Sequence, residues 1–254
     1  MPTTTEAKRL QKLNFAAGAL HLLSAIAIIA LANNFSLPVI ARYAAGQPGL
    51  GKFQIVSYGS VSTALLVGLF FALSAIAHFT VAGPRQTSYL ANLEKGRNPY
   101  RWLEYSLSSS IMIFAIAQIT GVSDIAALIA LVGLNASMIG FGWMQERYEA
   151  PGSSLQPFYL GCIAGALPWV ALALYLFSPG ASQHAPGFVY GIYFSIFVLF
   201  NCFALVQWLQ YKQIGRFTNY LVGERTYIYL SFIAKSLLAW QIFASVLAAQ
   251  SAPH

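Results

Sequence analysis

Long apolar segments separated by short polar turns most limit how this chain can fold. A helix needs ~20 apolar residues to cross the ~30 Å hydrocarbon core of a bilayer. Seven segments meet this need, approximately residues 11–32, 54–82, 99–120, 123–145, 155–177, 187–210 and 222–249. Because backbone amides in lipid must be satisfied internally, and no ten-residue alternating strand is apparent, these segments are expected to be helices. The sequence therefore predicts an all-α membrane protein, a single seven-transmembrane helix bundle over residues 1–254 that contacts membrane lipid.

The distribution of basic residues predicts how the bundle is oriented. Eleven lysines and arginines fall on one side of the predicted spans, whereas only Arg42 and Lys52 fall on the other. Positive residues mark the cytoplasmic face, so we expect a multi-pass cell-membrane protein with its amino terminus cytoplasmic and its carboxyl terminus extracellular. The net charge of +7 is explained by basic residues that set the topology and contact lipid headgroups. It therefore gives no reason to expect a nucleic-acid partner. The long outer loop, residues 33–53, is expected to fold back as a hairpin at Gln47–Pro48–Gly49.

Lys235 lies in the middle of the last apolar segment. An ammonium at the centre of a span costs roughly 2.5–3.5 kcal/mol on insertion scales, so a partner or covalent chemistry must compensate it. Of the seven acidic residues, six lie in or beside predicted loops, Glu146 and Glu224 among them, which leaves Glu104 as the expected buried carboxylate. We expect Lys235 and Glu104 to meet, although their predicted depths differ: ~18–20 Å from the start of one span against ~8 Å from the start of the other.

Two interpretations of this pair stay open on chemistry alone. It can be a plain ion pair that fastens two helices, or it can carry function. Arg101, one turn before Glu104, can stabilise that carboxylate or reach the lipid headgroups.

Seven spans, a lysine halfway along the last one, and Arg101-x-x-Glu104 on the third resemble the retinal-binding microbial rhodopsins. A lysine that forms a Schiff base with an aldehyde remains a cation, which a nearby carboxylate must balance. Ion-pumping members usually have a second carboxylate where this chain has Ser231, and proton pumps tend to have a donor acid where it has Ala115. With the inverted charge bias, the pattern resembles the heliorhodopsins over essentially the whole chain.

This resemblance implies a light-sensing photoreceptor that is not an enzyme and moves no net ion. It implies all-trans retinal on Lys235 as a protonated Schiff base, with Glu104 as the single counterion and with Ser108 and Ser231 tuning the hydrogen bonds around it. It also implies a homodimer. Because the chain shows no fused signalling domain, a signal would pass to a separate partner on the cytoplasmic side.

Two histidines match positions that in heliorhodopsins belong to a polar cluster near the Schiff base. The resemblance implies that His21 and His78 help to accept its released proton. From the residues alone, both also fit ordinary hydrogen bonding between membrane helices.

Helical periodicity indicates further walls for a cofactor pocket. Residues on shared stripes of the fourth, fifth and sixth spans, with one at the pocket edge on the seventh, are the candidates: Asn135, Met138, Ile139, Gly142, Trp169, Phe200 and Trp240. Aromatic residues at this spacing more often pack or contact lipid, so the prediction rests on their convergence.

Two other functions remain open from the sequence. A light-driven proton or ion translocator would share the Schiff base. A retinal-free seven-helix receptor or transporter would use Lys235 and Glu104 as a binding or coupling pair. An enzyme is not expected, because no nucleophile–base pair or metal cluster accompanies the lysine.

Overall fold

Helices make up most of the chain that the computed structural model describes, residues 3–47, 49–178, 180 and 182–250. The elements follow in the order α1 (Thr4–Ala30), β1 (Ser36–Ala44), β2 (Phe53–Ser62), α2 (Thr63–Ala82), α3 (Gln86–Glu94), α4 (Pro99–Ile119), α5 (Ile125–Tyr148), α6 (Gln156–Leu176), α7 (Gly187–Tyr211) and α8 (Tyr220–Gln250). A short 3-10 turn, Gly215–Thr218, joins α7 to α8. The predicted helical segments thus recur, with the changes described below.

Six helices of the described chain, α1, α2, α5, α6, α7 and α8, are long and apolar enough to cross a membrane. The remaining long helix, α4, carries Arg101, Glu104 and four serines, which lower its hydropathy. It nevertheless has 21 residues, or ~31 Å at 1.5 Å per residue, and packs against α2 and α5. Ile113 and Ile116 on α4 are fully buried in the main hydrophobic core. Arg101, Glu104, Ser108 and Ser110 of α4 are buried as well. Most of its polar side chains therefore face protein, and its crossing of the membrane stays a prediction.

The all-α prediction is wrong at the outer loop, where β1 and β2 form an antiparallel hairpin. Residues 54–62, predicted as the start of the second span, belong to β2 instead. The apolar residues of β2 lead directly into those of α2, so hydropathy alone did not separate this strand of ten residues from the helix. Gly59 has a φ of 106° at the bulge opposite Val39 and Ile40, a conformation that glycine adopts without strain. Of the predicted turn residues, Pro48 lies outside the described residues.

The hairpin is attached to the loop before α5. Ile40 N donates to Ser123 O at 2.9 Å, and Arg42 N donates to Asp124 Oδ2 at 3.3 Å. The other oxygen of Asp124 caps α5 by accepting from Ala126 N at 2.9 Å. One carboxylate therefore fixes both the helix start and the strand edge.

The opposite end of the bundle holds the short helix α3, which the hydropathy pattern did not predict. Its Tyr89 and Leu93 are buried against Leu10 of α1 and Val81 of α2. The first helix also begins earlier than predicted, because Thr3 and Glu6 form a reciprocal capping box. This packing brings Tyr89 close to the polar groups described next.

Candidate functional site

Lys235 and Glu104 form a buried ion pair between α8 and α4. Lys235 Nζ lies 3.0 Å from Glu104 Oε1, and the two residues are 3% and 8% exposed. Lys235 Nζ also donates to Ser231 Oγ at 2.6 Å, and Ser74 of α2 donates to Glu104 Oε1 at 2.5 Å. Each buried charge thus has an opposite charge and a hydroxyl group, which together offset its desolvation.

The predicted mismatch in depth does not keep the two side chains apart, since Lys235 Nζ lies 3.0 Å from Glu104 Oε1. Near its start, α8 meets α4 where Glu224 pairs with Arg101. The residue after Glu104 on α4 is Tyr105, and its hydroxyl donates to the Tyr227 carbonyl of α8 at 3.0 Å. Helical side chains tilt toward the amino-terminal end, so the long Lys235 side chain reaches back along α8 to Glu104.

A cavity of about 230 Å³ with mostly apolar walls lies beside Lys235 and Ser231, between α4, α5, α6, α7 and α8. Besides these two, the predicted residues at its wall are Ser108, Met138, Ile139, Gly142, Trp169 and Phe200. The Trp169 ring meets the rings of Phe197 and Phe200 edge-on, with centroids 5.3 and 5.6 Å apart. The Lys235 amine is therefore at the wall of an aromatic cavity.

Two predicted pocket residues lie elsewhere. Asn135 is buried but joins α5 to α4, donating to Ser109 Oγ at 2.7 Å and to Ser110 Oγ at 3.1 Å. Trp240 is 52% exposed, and its ring packs on Phe243 at 6.0 Å. Five residues along a helix turn the chain by about 140° from the lysine stripe, which directs Trp240 outward. Neither residue lines the cavity.

The two predicted histidines stack on each other next to the ion pair. Their ring centroids are 5.4 Å apart. His21 is fully buried, and neither of its ring nitrogens has a hydrogen-bond partner in the described chain. His78 Nδ1 lies 2.8 Å from Asn14 Oδ1. His78 and Glu104 also line one small cavity of about 30 Å³.

A second buried charge cluster was not predicted. Arg101 forms ion pairs with both Glu146 of α5 and Glu224 of α8. The three residues are 6%, 7% and 2% exposed. Glu146 and Glu224 lie near helix ends, as predicted, but both are buried. The expectation that Glu104 is the single buried carboxylate is therefore wrong. Arg101 neither binds Glu104 nor reaches lipid headgroups.

Helical periodicity from Lys235 was the signal that could have found part of this cluster. Glu224 and Ser231 precede Lys235 by eleven and four residues, close to three turns and one turn of a helix, so the three share a stripe. Arg101 and Glu104 share a stripe of α4 in the same way. Glu146 gave no comparable signal, because it lies near the end of α5, where a solvated carboxylate is ordinary.

The sequence matches the family model described as Heliorhodopsin over residues 10–247, almost the whole chain. The chain belongs to the heliorhodopsin family. Heliorhodopsins are retinal-binding, light-responsive proteins and are typically not enzymes. Family membership and the six apolar helices together make this chain a multi-pass membrane protein.

Solved microbial rhodopsins share the fold of this heliorhodopsin at low sequence identity. One is a light-driven proton pump from Leptosphaeria maculans, with a TM-score of 0.66, 13% identity and coverage of 94% of this chain and 96% of that chain. Another is a cyanorhodopsin from the cyanobacterium Tolypothrix sp. NIES-4075, with a TM-score of 0.62, 13% identity and coverage of 93% and 92%. No curated protein sequence matches the chain.

A third structural relative comprises the transmembrane domain and linker region of a rhodopsin phosphodiesterase from Salpingoeca rosetta. Its TM-score is 0.65, at 10% identity, and the alignment covers 96% of this chain and 82% of that chain. At such identities these likenesses show the fold alone.

The residues present fit the retinal chromophore that family membership implies. A primary amine, Lys235, stands at the wall of a cavity that is lined mostly by apolar and aromatic side chains. The Tyr227 hydroxyl at this wall is buried and has no hydrogen-bond partner in the described residues. A long polyene aldehyde matches this combination of one amine and aromatic walls.

Gly142→Ala is expected to destabilise the protein. A Cβ at Gly142 would lie 2.6 Å from Trp102 Cζ3, and the Trp102 ring is fixed by its Nε1 bond to Glu146. Overpacking costs ~1–3 kcal/mol, which exceeds the ~1 kcal/mol that alanine gains over glycine in a helix.

Thermal unfolding in lipid nanodiscs measures this effect. Gly140→Ala is the matched control, because it lies on the same helix and a Cβ there meets nothing within 4 Å. Equal melting temperatures for the two variants would contradict the packing of Trp102 on Gly142.

Proposed function

We propose that this chain is a light sensor that carries all-trans retinal as a protonated Schiff base on Lys235, with Glu104 as its single counterion. The observation that carries this proposal is the position of Lys235 Nζ, 3.0 Å from Glu104 at the wall of the aromatic cavity. Bound there, retinal supplies the absorption of visible light and a change of shape.

The residues around the amine prepare it for this role. Glu104 balances a cation at the Lys235 nitrogen, and Ser74 and Ser231 each hold one member of the pair through a hydroxyl. In this buried place, a cation displaced from Glu104 would lose much of its stabilisation, because the surroundings screen charge poorly. Displacement therefore biases the bundle toward a second arrangement and favours loss of the proton. His21 and His78 lie next to the pair, where they would help to accommodate that proton after its release.

The distribution of acids supports sensing without net ion transport. Of the seven acidic residues, Asp124 alone lies on the hairpin side of the Lys235–Glu104 pair, and it is engaged by the backbone of α5 and β1. Ser231 and the buried Ala115 stand where pumping rhodopsins have carboxylates. A proton that leaves Lys235 thus meets carboxylates on one side of the pair only, so it returns by the route it left.

Orientation and partners complete the proposal. The basic end of the bundle, which includes α3, would face the cytoplasm, and a separate signalling partner would bind there. A homodimer is proposed from family resemblance. Separation by size in lipid nanodiscs tests the homodimer, which should elute as two copies of the chain. Cross-linking of single engineered cysteines at either end of the bundle tests it independently, because a cysteine at the dimer contact should join two copies.

Loading the purified protein with all-trans retinal is expected to produce a visible absorption band that Lys235→Ala abolishes. The amine is needed for the covalent bond, whereas Lys212→Ala, at the end of α7, removes a lysine outside the cavity and keeps the band. A visible band in Lys235→Ala would contradict the covalent assignment. A colourless native protein after retinal addition would instead favour a retinal-free receptor or transporter.

Glu104→Gln is expected to shift the visible band to longer wavelength, or to release the proton of the Lys235-linked nitrogen so that the band is lost near neutral pH. Both results follow from the removal of the negative charge that stabilises the cation. Absorption spectra across a pH titration measure this. Glu149→Gln, a carboxylate bound to Ser153 at the end of α5, is the control and should leave the titration unchanged. A native titration in Glu104→Gln would remove Glu104 from the counterion role.

Illumination of cells that contain the protein is expected to leave the external pH unchanged. A light-driven translocator is the second candidate, favoured only by the shared fold of a light-driven proton pump. Such activity would appear as a light-dependent pH change that a protonophore abolishes. This change would contradict sensing without transport while leaving the retinal assignment intact.

A further inference from the structure

The buried charges of this protein do not balance. Within the described residues the buried charged side chains are the cations Arg101 and Lys235 and the carboxylates Glu104, Glu146 and Glu224. Lys235 neutralises Glu104, whereas Arg101 is shared by Glu146 and Glu224. With all of these ionised, the Arg101 cluster carries one excess negative charge. Such a cluster, held ionised at rest by its donors, accepts one further proton more readily than a balanced cluster would.

Glu224 is the carboxylate of this cluster that is better placed to take that proton. Glu146 accepts four hydrogen bonds, from Asn98 N, Arg101, Trp102 and Tyr220. Glu224 accepts three, from the Tyr89 hydroxyl at 3.0 Å, Asn98 Nδ2 at 2.8 Å and Arg101. Because each donor favours the charged form, Glu146 is held more firmly as a carboxylate.

A small cavity connects Glu224 to the ion pair of the proposed chromophore site. It measures about 30 Å³, and its lining includes Glu104 and His78 as well as Arg101 and Glu224. A cavity of ~10–15 Å³ is enough for one water molecule if polar partners surround it. Arg101 Nε is buried without a partner in the described chain, so a donor remains for such a water. A proton therefore has a polar route from Glu104 to Glu224.

Tyr89 forms a second connection between the same groups. The Asn14 amide nitrogen lies 3.3 Å from the Tyr89 oxygen, and its carbonyl oxygen lies 2.8 Å from His78 Nδ1. Burial, and then the charge of Glu224, raise the pKa of the Tyr89 hydroxyl well above 10. Tyr89 therefore remains a donor to Glu224 at neutral pH, and its helix, α3, is tied to the charge state of that carboxylate.

We propose that Glu224, positioned by Arg101 and Tyr89, is the site that receives the proton released at the Lys235 nitrogen and then gives it back. In the forward step an N–H bond at Lys235 breaks and an O–H bond on Glu224 forms; the return step reverses both. Protonation leaves the cluster neutral and weakens the hydrogen bond from Tyr89, which loosens α3. This inference rests on the proposed function, because it needs a cation at Lys235 that light can deprotonate.

Light-minus-dark infrared difference spectra of the retinal-loaded protein in lipid test the inference. A carbonyl band of a protonated carboxylic acid is expected to appear when the visible band is lost, and Glu224→Gln is expected to remove it. Recovery of the visible band should also slow by roughly 10²-fold in Glu224→Gln, because a positioned group that transfers the proton is removed. Glu149→Gln is the matched control and should keep both the carbonyl band and the recovery rate.

Tyr89→Phe provides a second test that leaves Glu224 in place. Loss of one hydrogen bond should move the carbonyl band to higher frequency, whereas Tyr100→Phe, which removes a nearby hydroxyl bound only to Ser88, should not move it. A carbonyl band that persists in Glu224→Gln, or that Tyr89→Phe leaves in place, would overturn the inference. In that case the native visible spectrum and its light response would still support the proposed function, whereas a protein without a visible band would overturn both.

Discussion

The ion pair of Lys235 and Glu104 is the interaction on which the rest of this structure depends. Burial of either charge alone would cost several kcal/mol, so the fold must keep both together and apart from water. Ser74 of α2 and Ser231 of α8 each form a hydrogen bond with one member of the pair. The aromatic cavity between α4, α5, α6, α7 and α8 lies beside the Lys235 amine. The same pair makes a covalent retinal site chemically reasonable, since the linked nitrogen remains a cation that needs an acid.

Two levels of charge follow from the geometry of α4 and α8. Each helix places its polar groups on one stripe: Arg101 and Glu104 on α4, and Glu224 and Lys235 on α8. The two helices contact each other through these groups at two levels. The first is the Lys235–Glu104 ion pair, and the second is the ion pair of Arg101 with Glu224, which Glu146 of α5 joins. The small cavity has both Glu104 and Glu224 in its lining, and Tyr89 of α3 donates to Glu224. Under the proposal above, a change of charge at the first level would therefore alter the second level and α3.

Much of the fold and of the central pair could be predicted from the sequence, because membrane helices leave long apolar runs and a buried lysine needs an acid. A hairpin in the outer loop was expected, but the extent of its second strand could not be predicted, since β2 continues into α2 without a break in hydropathy. Glu146 and Glu224 were placed in or beside loops because they lie within about a turn of helix ends, where hydropathy cannot distinguish a buried carboxylate from a solvated one. The Arg101 cluster depends on contacts between three helices that no single segment reveals. Trp240 shows the opposite error, in which an aromatic residue near the lysine faces outward.

The most direct test of the central claim is chemical location of the chromophore. The protein loaded with all-trans retinal is reduced with borohydride, digested, and mapped by mass spectrometry. The account predicts one retinyl group on the peptide that contains Lys235, and unmodified lysines at Lys8, Lys12, Lys52, Lys95 and Lys212. A retinyl group on any of these five, or on none of the six lysines, would contradict it.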